Sequence, residues 1–239
     1  MANMFRLGTL ALNGQLVVPS DTGSPFGGEI PEILNTVKGK ELHWVVVGGK
    51  LIASKCLLRN ISFHDLDALG LVGPTKIQID GEDYILRLLK VGKHEGEPNE
   101  WDAAIDDTGV NNAIWHWYGI YTWGMDELSN PDFRAIRGGD GSRDWDCSET
   151  WDREDTGWRP VLEPVSVKLS QRLRGKKVAI WHGQQILYGR VASYNAYDLY
   201  LTDAQPLFSI GFDRTPWYAD LGESCLVVDR NQIAAIQLY

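Results

Sequence analysis

The sequence predicts an α+β fold in which a loop-rich first part is followed by a small all-β barrel. Asn13-Gly14, Gly48-Gly49 and Asp80-Gly81 are tight-turn signals between short apolar runs, and they predict three β-hairpins. Ser62 stands before an apolar pattern as a helix N-cap does, which supplies the helical component. After Pro164 the tryptophan density falls and short strand-like runs follow one another, which is typical of a small barrel.

The first part of the chain is expected to alternate hairpins with short helices. The predicted hairpins are Leu7–Leu12 with Gln15–Val18, Glu41–Val47 with Lys50–Ser54, and Lys76–Ile79 with Tyr84–Leu89. The first helix begins after Ser62, has Asp65 in position for a capping box, and ends at Gly70. The second helix covers Asn99–Ile105 and carries Trp101 on its buried side.

The aromatic segment Ala113–Trp123 is predicted to be a strand, because alternation places Trp115 and Trp117 on one face and His116 on the other. In the C-terminal part, a short helix at Val165–Gln171 is expected to precede five strands. These strands are Lys176–Trp181, Ile186–Ser193, Leu199–Thr202, Cys225–Val228 and Ala234–Leu238.

Charge is distributed unevenly along the 239 residues, whose net charge is −9. Residues 94–163 hold seventeen Asp and Glu against five Arg, whereas residues 166–239 hold eight Lys and Arg against six acids. An acidic middle region opposes binding to a phosphate backbone, which needs a positive field. It is compatible with a cationic partner, a divalent metal, mimicry of nucleic acid, or simply solvated acidic loops.

Cysteine usage points to a reducing compartment. Cys56, Cys147 and Cys225 are few, odd in number and far apart, and they form no CxxC motif, which argues against a zinc site. The N-terminal stretch MANMFRLGTLALNG has one basic residue and no long apolar run. We therefore expect no signal peptide, no membrane span and a cytoplasmic location.

The stretch at residues 135–161 has structural-looking ends around a polar and aromatic middle. It opens with Arg137-Gly138-Gly139 and closes with Gly157-Trp158-Arg159-Pro160-Val161. Between these ends, acids and tryptophans alternate with small polar residues. Tryptophan surrounded by Ser and Asp is also the composition of a binding hot spot with an adaptable polar rim.

Three motifs, in this order, resemble the formylglycine-generating-enzyme-like branch of the C-type-lectin fold. They are Glu97–Ala104, Ile114-Trp115-His116-Trp117, and the Arg137-Gly138-Gly139 and Gly157-Trp158-Arg159 ends with Arg153 between them. In retroelement-diversified proteins of this fold, the segment between those ends carries the variable ligand-binding residues. The resemblance therefore implies ligand binding by Asp140, Ser142, Asp144, Trp145, Asp146, Ser148, Thr150 and Trp151. The alternative is that Trp145 and Trp151 fill the core.

The C-terminal part is similar to an Sm-like barrel. Leu173–Val178, Gly189 and Ser193–Asp203 resemble the first Sm motif, and Asp229–Ile236 stands where the second would be. By position, the barrel-loop candidates are Tyr194, Asn195, Asp198 and Arg230. Asp229-Arg230 replaces the family's Arg-Gly, a departure at the residues that would hold a base and its phosphate. The resemblance also implies a possible homo-oligomer, because such barrels pair edge strands.

These patterns predict three regions: an N-terminal hairpin region at residues 1–58, a lectin-like domain at 59–163 and an Sm-like barrel at 164–239. The expected function is non-catalytic binding. A phage- or prophage-like protein would recognise a host protein or sequester a small ligand through the lectin-like surface, in the host cytoplasm. The barrel would serve assembly or a second contact. We expect no cofactor, no metal, no membrane partner and no nucleic acid.

Three other functions stay open: a virion or tail-associated receptor-recognition protein, a metal-dependent oxidoreductase of the formylglycine-generating type, and an RNA-binding Sm-like protein. The oxidoreductase of this family uses two cysteines that bind copper, whereas only Cys147 lies in the terminal motif region. The five histidines show no HxxxH spacing. The aspartates from Asp140 to Asp155 offer oxygen ligands but form no EF-hand loop.

Overall fold

The computed structural model describes residues 2–152, 154–208 and 217–239. Strands contain 47% of the residues and helices 11%. The predicted α+β class is therefore wrong, and the protein is mostly β. The helices are short: α1 (Phe63–Ala68), α2 (Glu100–Thr108) and α3 (Asn112–Trp115), with single 3₁₀ turns at Gln171–Leu173 and Arg230–Gln232. No helix in the described residues has the length and apolarity needed to cross a membrane. Arg153, part of the third motif, lies outside the described residues.

Sheet 1 has six strands and joins early residues to late ones. Its strands are β1 (Asn3–Arg6), β6 (His43–Val47), β7 (Lys50–Ala53), β9 (Thr75–Ile79), β10 (Glu82–Leu88) and β15 (Pro160–Pro164). Their order is β1-β6-β7-β15-β10-β9. Two predicted hairpins, β6–β7 and β9–β10, are confirmed. They are not neighbours, because β15 lies between them and pairs Val161 with Ile52 on one side and with Arg87 on the other.

Sheet 2 carries the candidate segment at one edge. Its strands are β4 (Ser24–Pro25), β8 (Leu58–Arg59), β11 (Tyr121–Glu127), β12 (Phe133–Gly138), β13 (Trp145–Glu149) and β14 (Thr156–Trp158), in the order β13-β12-β11-β14-β8-β4. The small sheet 4 contains β2 (Thr9–Leu12), β3 (Gln15–Val17) and β5 (Pro31–Leu34), and its β2–β3 pair confirms the first predicted hairpin.

Sheet 3 is built from the C-terminal part alone. Its strands are β16 (Lys177–His182), β17 (Gln185–Tyr194), β18 (Asp198–Pro206), β19 (Tyr218–Gly222), β20 (Cys225–Asp229) and β21 (Ala235–Leu238), in the order β19-β20-β18-β17-β16-β21. The five predicted strands are confirmed and β19 is additional. The predicted helix at Val165–Gln171 is wrong, because a 3₁₀ turn at Gln171–Leu173 takes its place.

The run Val178–Trp181 is buried on both faces and fixes sheet 3 against the rest of the molecule. Val178 and Ile180 pack inside sheet 3, whereas Ala179 and Trp181 join the core of the first part of the chain. Trp181 Nε1 donates to Gln237 Oε1 at 3.2 Å, and Gln237 Nε2 donates to the Asp83 carbonyl at 2.8 Å. A continuous core therefore connects the two parts.

The predicted strand across Ala113–Trp123 is wrong in its first half. Asn111 caps α3, and His116 ends this helix in the left-handed conformation at φ 43°. Trp115 is fully buried, and its ring meets Trp101 edge to face with 5.3 Å between centroids. Alternating tryptophans suggested a strand, but a single helical turn buries Trp115 equally well.

Replacing Gly49 with alanine is expected to destabilise the protein more than replacing Gly48, its neighbour in the β6–β7 turn. Both glycines have positive φ, which costs alanine about 1–2 kcal/mol. A Cβ on Gly49 would lie 2.4 Å from the Cβ of Ala234, the residue before β21 of sheet 3, whereas a Cβ on Gly48 would meet only Lys50 Cε at 3.7 Å. We expect a further loss of about 1–3 kcal/mol for Gly49→Ala, measured by urea denaturation. Equal losses for the two variants would contradict this close packing of the parts.

Candidate functional site

Two buried arginines anchor the ends of the candidate segment. Arg137 is 2% exposed and Arg159 is 1% exposed. Arg137 forms an ion pair with Asp102, and its Nη1 donates to the Arg143 carbonyl at 2.9 Å. Arg159 Nη1 donates to the Ala53 carbonyl at 3.0 Å. These contacts tie the loop ends to the interior, so the residues between them are held in a defined position.

Within the described residues β13 lies at an edge of sheet 2 and pairs only with β12, with Arg137 opposite Trp145 and Ile136 opposite Asp146. Because side chains alternate along a strand, Trp145 and Asp146 project from opposite faces. Trp145 packs against the core on its own side, and its Nε1 donates to the Gly92 carbonyl at 3.1 Å. Asp146 is exposed on the other side.

The free edge of β13 is partly closed to the addition of another strand. Thr150 N–H donates to the Asp132 carbonyl at 2.8 Å, so the even-numbered residues bond to β12 and the odd-numbered ones face outward. Among these, Cys147 N–H donates to Asp146 Oδ1 at 2.7 Å, and the Glu149 carbonyl accepts from Asp152 N–H at 2.9 Å. A strand added at this edge would therefore find part of the row of outward backbone groups already bonded.

Trp151 is a large exposed aromatic residue held in place from beneath. Its side chain is 66% exposed, and its ring stacks on His64 with 3.8 Å between centroids and a 30° interplanar angle. His64 N–H donates to the Thr150 carbonyl at 2.9 Å, which fixes α1 against this turn. Nearby, Ser148 Oγ donates to Asp152 Oδ2 at 2.8 Å. The indole is thus presented to solvent on an ordered support.

Tyr121 in β11 feels the charge of four carboxylates from residues 140–155. Burial, followed by the negative fields of Asp140, Asp146, Asp144 and Asp155, raises the pKa of Tyr121. Asp140, Asp144 and Asp146 are all exposed. We call the surface of Asp140, Asp144, Asp146, Ser148 and Trp151 the display face.

The structure divides the eight residues predicted from the resemblance into two groups. Asp140, Asp144, Asp146 and Trp151 are exposed, whereas Ser142, Trp145, Ser148 and Thr150 are half-buried. Ser142 serves the scaffold, because its carbonyl accepts from Trp101 Nε1 at 2.6 Å. His64 and Tyr121 also shape the site and were not predicted, since both lie outside the segment and nothing in their local sequence links them to it.

The barrel-loop candidates form a compact turn. Asn195 Oδ1 accepts from the N–H groups of Tyr197 and Asp198, both at 2.7 Å. The Arg230 guanidinium bonds to the Asn195 carbonyl and lies 5.6 Å from the Tyr194 ring centroid. The Arg230 guanidinium and the Tyr194 ring therefore lie against each other in this turn. Tyr197 is 72% exposed and is the largest free aromatic surface in this loop.

The described residues contain no group of three or more His, Cys, Asp or Glu that could hold a metal ion. All three cysteines are free, with Cys56 buried, Cys147 exposed and Cys225 half-exposed. Burial raises the pKa of the Cys56 thiol, and this outweighs the opposing effect of Arg159 beside it. Of the three thiols, Cys147 alone is fully exposed.

The three thiols should react with a thiol-specific chromogenic reagent at separate rates. Cys147 is expected to react first and Cys225 more slowly, while Cys56 reacts only on unfolding, because a buried thiol with a raised pKa forms little thiolate. Cys147→Ser should remove the fast phase alone. Fast reaction of two thiols in the Cys147→Ser variant would contradict the burial of Cys56.

Comparisons with protein-family models, with curated proteins and with solved structures gave no match to this chain. The geometry of the display face is therefore the basis on which a function can be proposed.

Proposed function

We propose that the chain is a non-catalytic binding protein, of phage or prophage type, that recognises a host protein through the display face. The observation that carries this proposal is Trp151, a 66% exposed indole stacked on His64. An indole fixed in one orientation loses little conformational entropy on binding, and tryptophan is enriched among residues that dominate interface affinity.

The charge of the display face indicates the chemistry of the partner. Asp140, Asp144 and Asp146 are exposed in the same segment as Trp151, toward the other end of β13. A lysine or arginine of a partner would pair with these carboxylates, and an arginine would also stack on the indole. We therefore propose a protein partner with a basic patch. The electric field of exposed carboxylates extends over about a Debye length, which increases as the salt concentration falls. These residues would therefore speed association with a basic partner at low salt.

Sheet 3 would supply assembly or a second contact. Its edge strand β19 exposes Leu221 at 58%. An apolar side chain on an unpaired edge is a typical point of contact with another chain. Light scattering across a range of concentrations tests this part of the proposal, and a monomer at the highest concentration would remove the assembly role.

The experiment that tests the main proposal is capture of a partner from bacterial lysate on the immobilised chain, followed by titration of the purified partner. Asp144→Asn/Asp146→Asn should weaken binding by roughly tenfold at low salt, and the difference should shrink at high salt. Glu32→Gln/Asp21→Asn removes two exposed carboxylates outside both proposed contact surfaces and is the control with equal net charge. Equal weakening by both pairs would contradict a local role for the display face.

Metal analysis of the purified chain separates binding from the oxidoreductase alternative. The binding function predicts that the purified chain carries no stoichiometric metal. Stoichiometric copper or iron would contradict it.

A further inference from the structure

A cavity of about 430 Å³ lies between the β6–β7 turn, residues 90–99 and α2. Its apolar walls come from Val47, Ile52, Pro98, Ala103 and Ala104. Small-molecule sites typically have volumes of about 300–1,000 Å³ and mostly apolar walls with a few polar groups. The cavity shares no residue with the display face, so it is a separate candidate site.

The cavity is lined by more carboxylates than ammonium groups. Its lining contains the carboxylates of Glu97, Glu100, Asp107 and Asp126 and the ammonium groups of Lys50 and Lys90. Lys50 is already paired with Glu100, which Arg87 also holds through Nη2 at 2.7 Å. Burial would raise the pKa of Glu100, but the bonds from Arg87 and Lys50 outweigh it and lower the pKa to about 2. The field left for a ligand is therefore negative.

Asp107 is the carboxylate best placed to receive a cation. No described residue forms a hydrogen bond or ion pair with its carboxylate, while its backbone carbonyl accepts from Gln184 Nε2 of sheet 3 at 2.9 Å. Partial burial and then the charge of Asp106 raise the pKa of Asp107. Asp126 lies on the same cavity, and its Oδ2 accepts from Val91 N–H at 2.6 Å, which leaves Oδ1 for a ligand.

We propose that this cavity binds a small primary amine with an apolar body. The ammonium group would lie against Asp107, and the alkyl part would lie along Val47 and Ile52. Gln184 and the contact of Gly49 N–H with the Gly183 carbonyl at 2.9 Å hold the β16–β17 turn against α2 and the β6–β7 turn, two elements that line the cavity. An occupied cavity therefore stabilises the junction between the two parts of the chain.

A neighbouring cavity of about 560 Å³ provides the internal control. It lies on the other side of Pro98 and Asn99 and includes Glu95, Arg137 and Arg143. Both arginines pair with acids on α2, Arg137 with Asp102 and Arg143 with Asp106. Glu95 lines this second cavity and is absent from the lining of the first.

The test uses three six-carbon probes that differ only in head-group charge: n-hexylamine, n-hexanol and hexanoate. Binding is followed by NMR chemical-shift titration of the full chain. Hexylamine should saturate with a Kd on the order of 1 mM, and hexanoate should bind at least tenfold more weakly. Asp107→Asn should weaken hexylamine binding about fivefold or more, whereas Glu95→Gln and Glu32→Gln should leave it unchanged. Ala103→Phe, a change at an exposed helix position, should narrow the cavity and abolish binding.

Several results would overturn the proposal. They are the absence of saturation by hexylamine up to about 10 mM, equal affinity for hexanoate, or an unchanged Kd in Asp107→Asn. A loss in Glu95→Gln as large as that in Asp107→Asn would place the amine in the neighbouring cavity. Asp107 is exposed, so Asp107→Asn should keep the fold, and the amide spectrum recorded before titration checks this.

Discussion

Trp151→Ala is expected to weaken partner binding by roughly 30-fold or more while changing the free energy of unfolding by less than about 0.5 kcal/mol. The indole is 66% exposed and contacts the rest of the chain mainly through His64, so its removal leaves no cavity. A partner would lose both the apolar area and the platform for a cationic side chain. Calorimetric titration and thermal denaturation of the same variant measure the two effects.

Trp145→Ala is the matched comparison, because it removes the same side chain from the opposite face of the segment. Trp145 packs on the core and donates to the Gly92 carbonyl, so its loss should lower stability by about 2–4 kcal/mol. If Trp151→Ala were the variant that loses stability and Trp145→Ala the one that loses binding, the assignment of the two tryptophans would be wrong.

Glu100→Gln is expected to lower the stability of the protein by about 3–5 kcal/mol at neutral pH. Arg87 is 4% exposed and donates from Nη1 and Nη2 to the two oxygens of Glu100 at 2.8 and 2.7 Å. Lys50 pairs with the same carboxylate. In the Glu100→Gln variant, Arg87 keeps its bond to the Leu88 carbonyl but has only Glu163, which is 40% exposed, as a charged partner among the described residues, so a buried cation loses much of its compensation. Urea denaturation measures the loss, with Glu32→Gln as the control at an exposed position of β5.

The pH dependence of stability follows from the same carboxylate. Burial would raise the pKa of Glu100, but the hydrogen bonds and charges of Arg87 and Lys50 lower it from 4.5 to about 2. Because the pKa is lower in the folded state, the contribution of Glu100 is fully present above pH 4.5 and is lost as the pH falls toward 2. It amounts to about 3 kcal/mol. The stability difference between the wild type and Glu100→Gln should therefore shrink as the pH is lowered through this range, and a constant difference would contradict the shift.

The local structure of the chain was largely predictable, because tight turns and helix caps are determined by residues that are neighbours in the sequence. Gly48-Gly49 and Asp80-Gly81 identified hairpins, and Ser62 with Asp65 forms the predicted capping box. The secondary structure was predicted wrongly in two places: Val165–Gln171 is not a helix, and β19 was not predicted. β19 spans Tyr218–Gly222 and is mostly exposed, so it shows no apolar alternation by which to recognise it.

The assembly of these pieces was not predictable from local patterns. β15 inserts between two hairpins and pairs Val161 with Ile52, which lies more than a hundred residues earlier. Val178–Trp181 reads as one apolar run, and nothing local shows that its two faces belong to different cores. Such long-range pairings depend on the whole chain, and periodicity does not report them.

The candidate site was predictable as a segment but not as a surface. Its motif-like ends, Arg137 and Arg159, are the buried anchors that their position suggested. Which tryptophan faces solvent depends on the register of β13 with β12 and on a stacking partner, His64, from a distant helix. Sequence alone left Trp145 and Trp151 equivalent, and the pairing of two strands separates them.

Amide hydrogen exchange of the chain, with and without the captured partner, tests the proposed binding surface most directly. The account predicts that added protection is concentrated in residues 140–152 and in α1 beneath Trp151, while residues 193–198 of sheet 3 exchange at an unchanged rate. Protection confined to residues 193–198 and 230–232, with residues 140–152 unchanged, would contradict it and assign recognition to sheet 3.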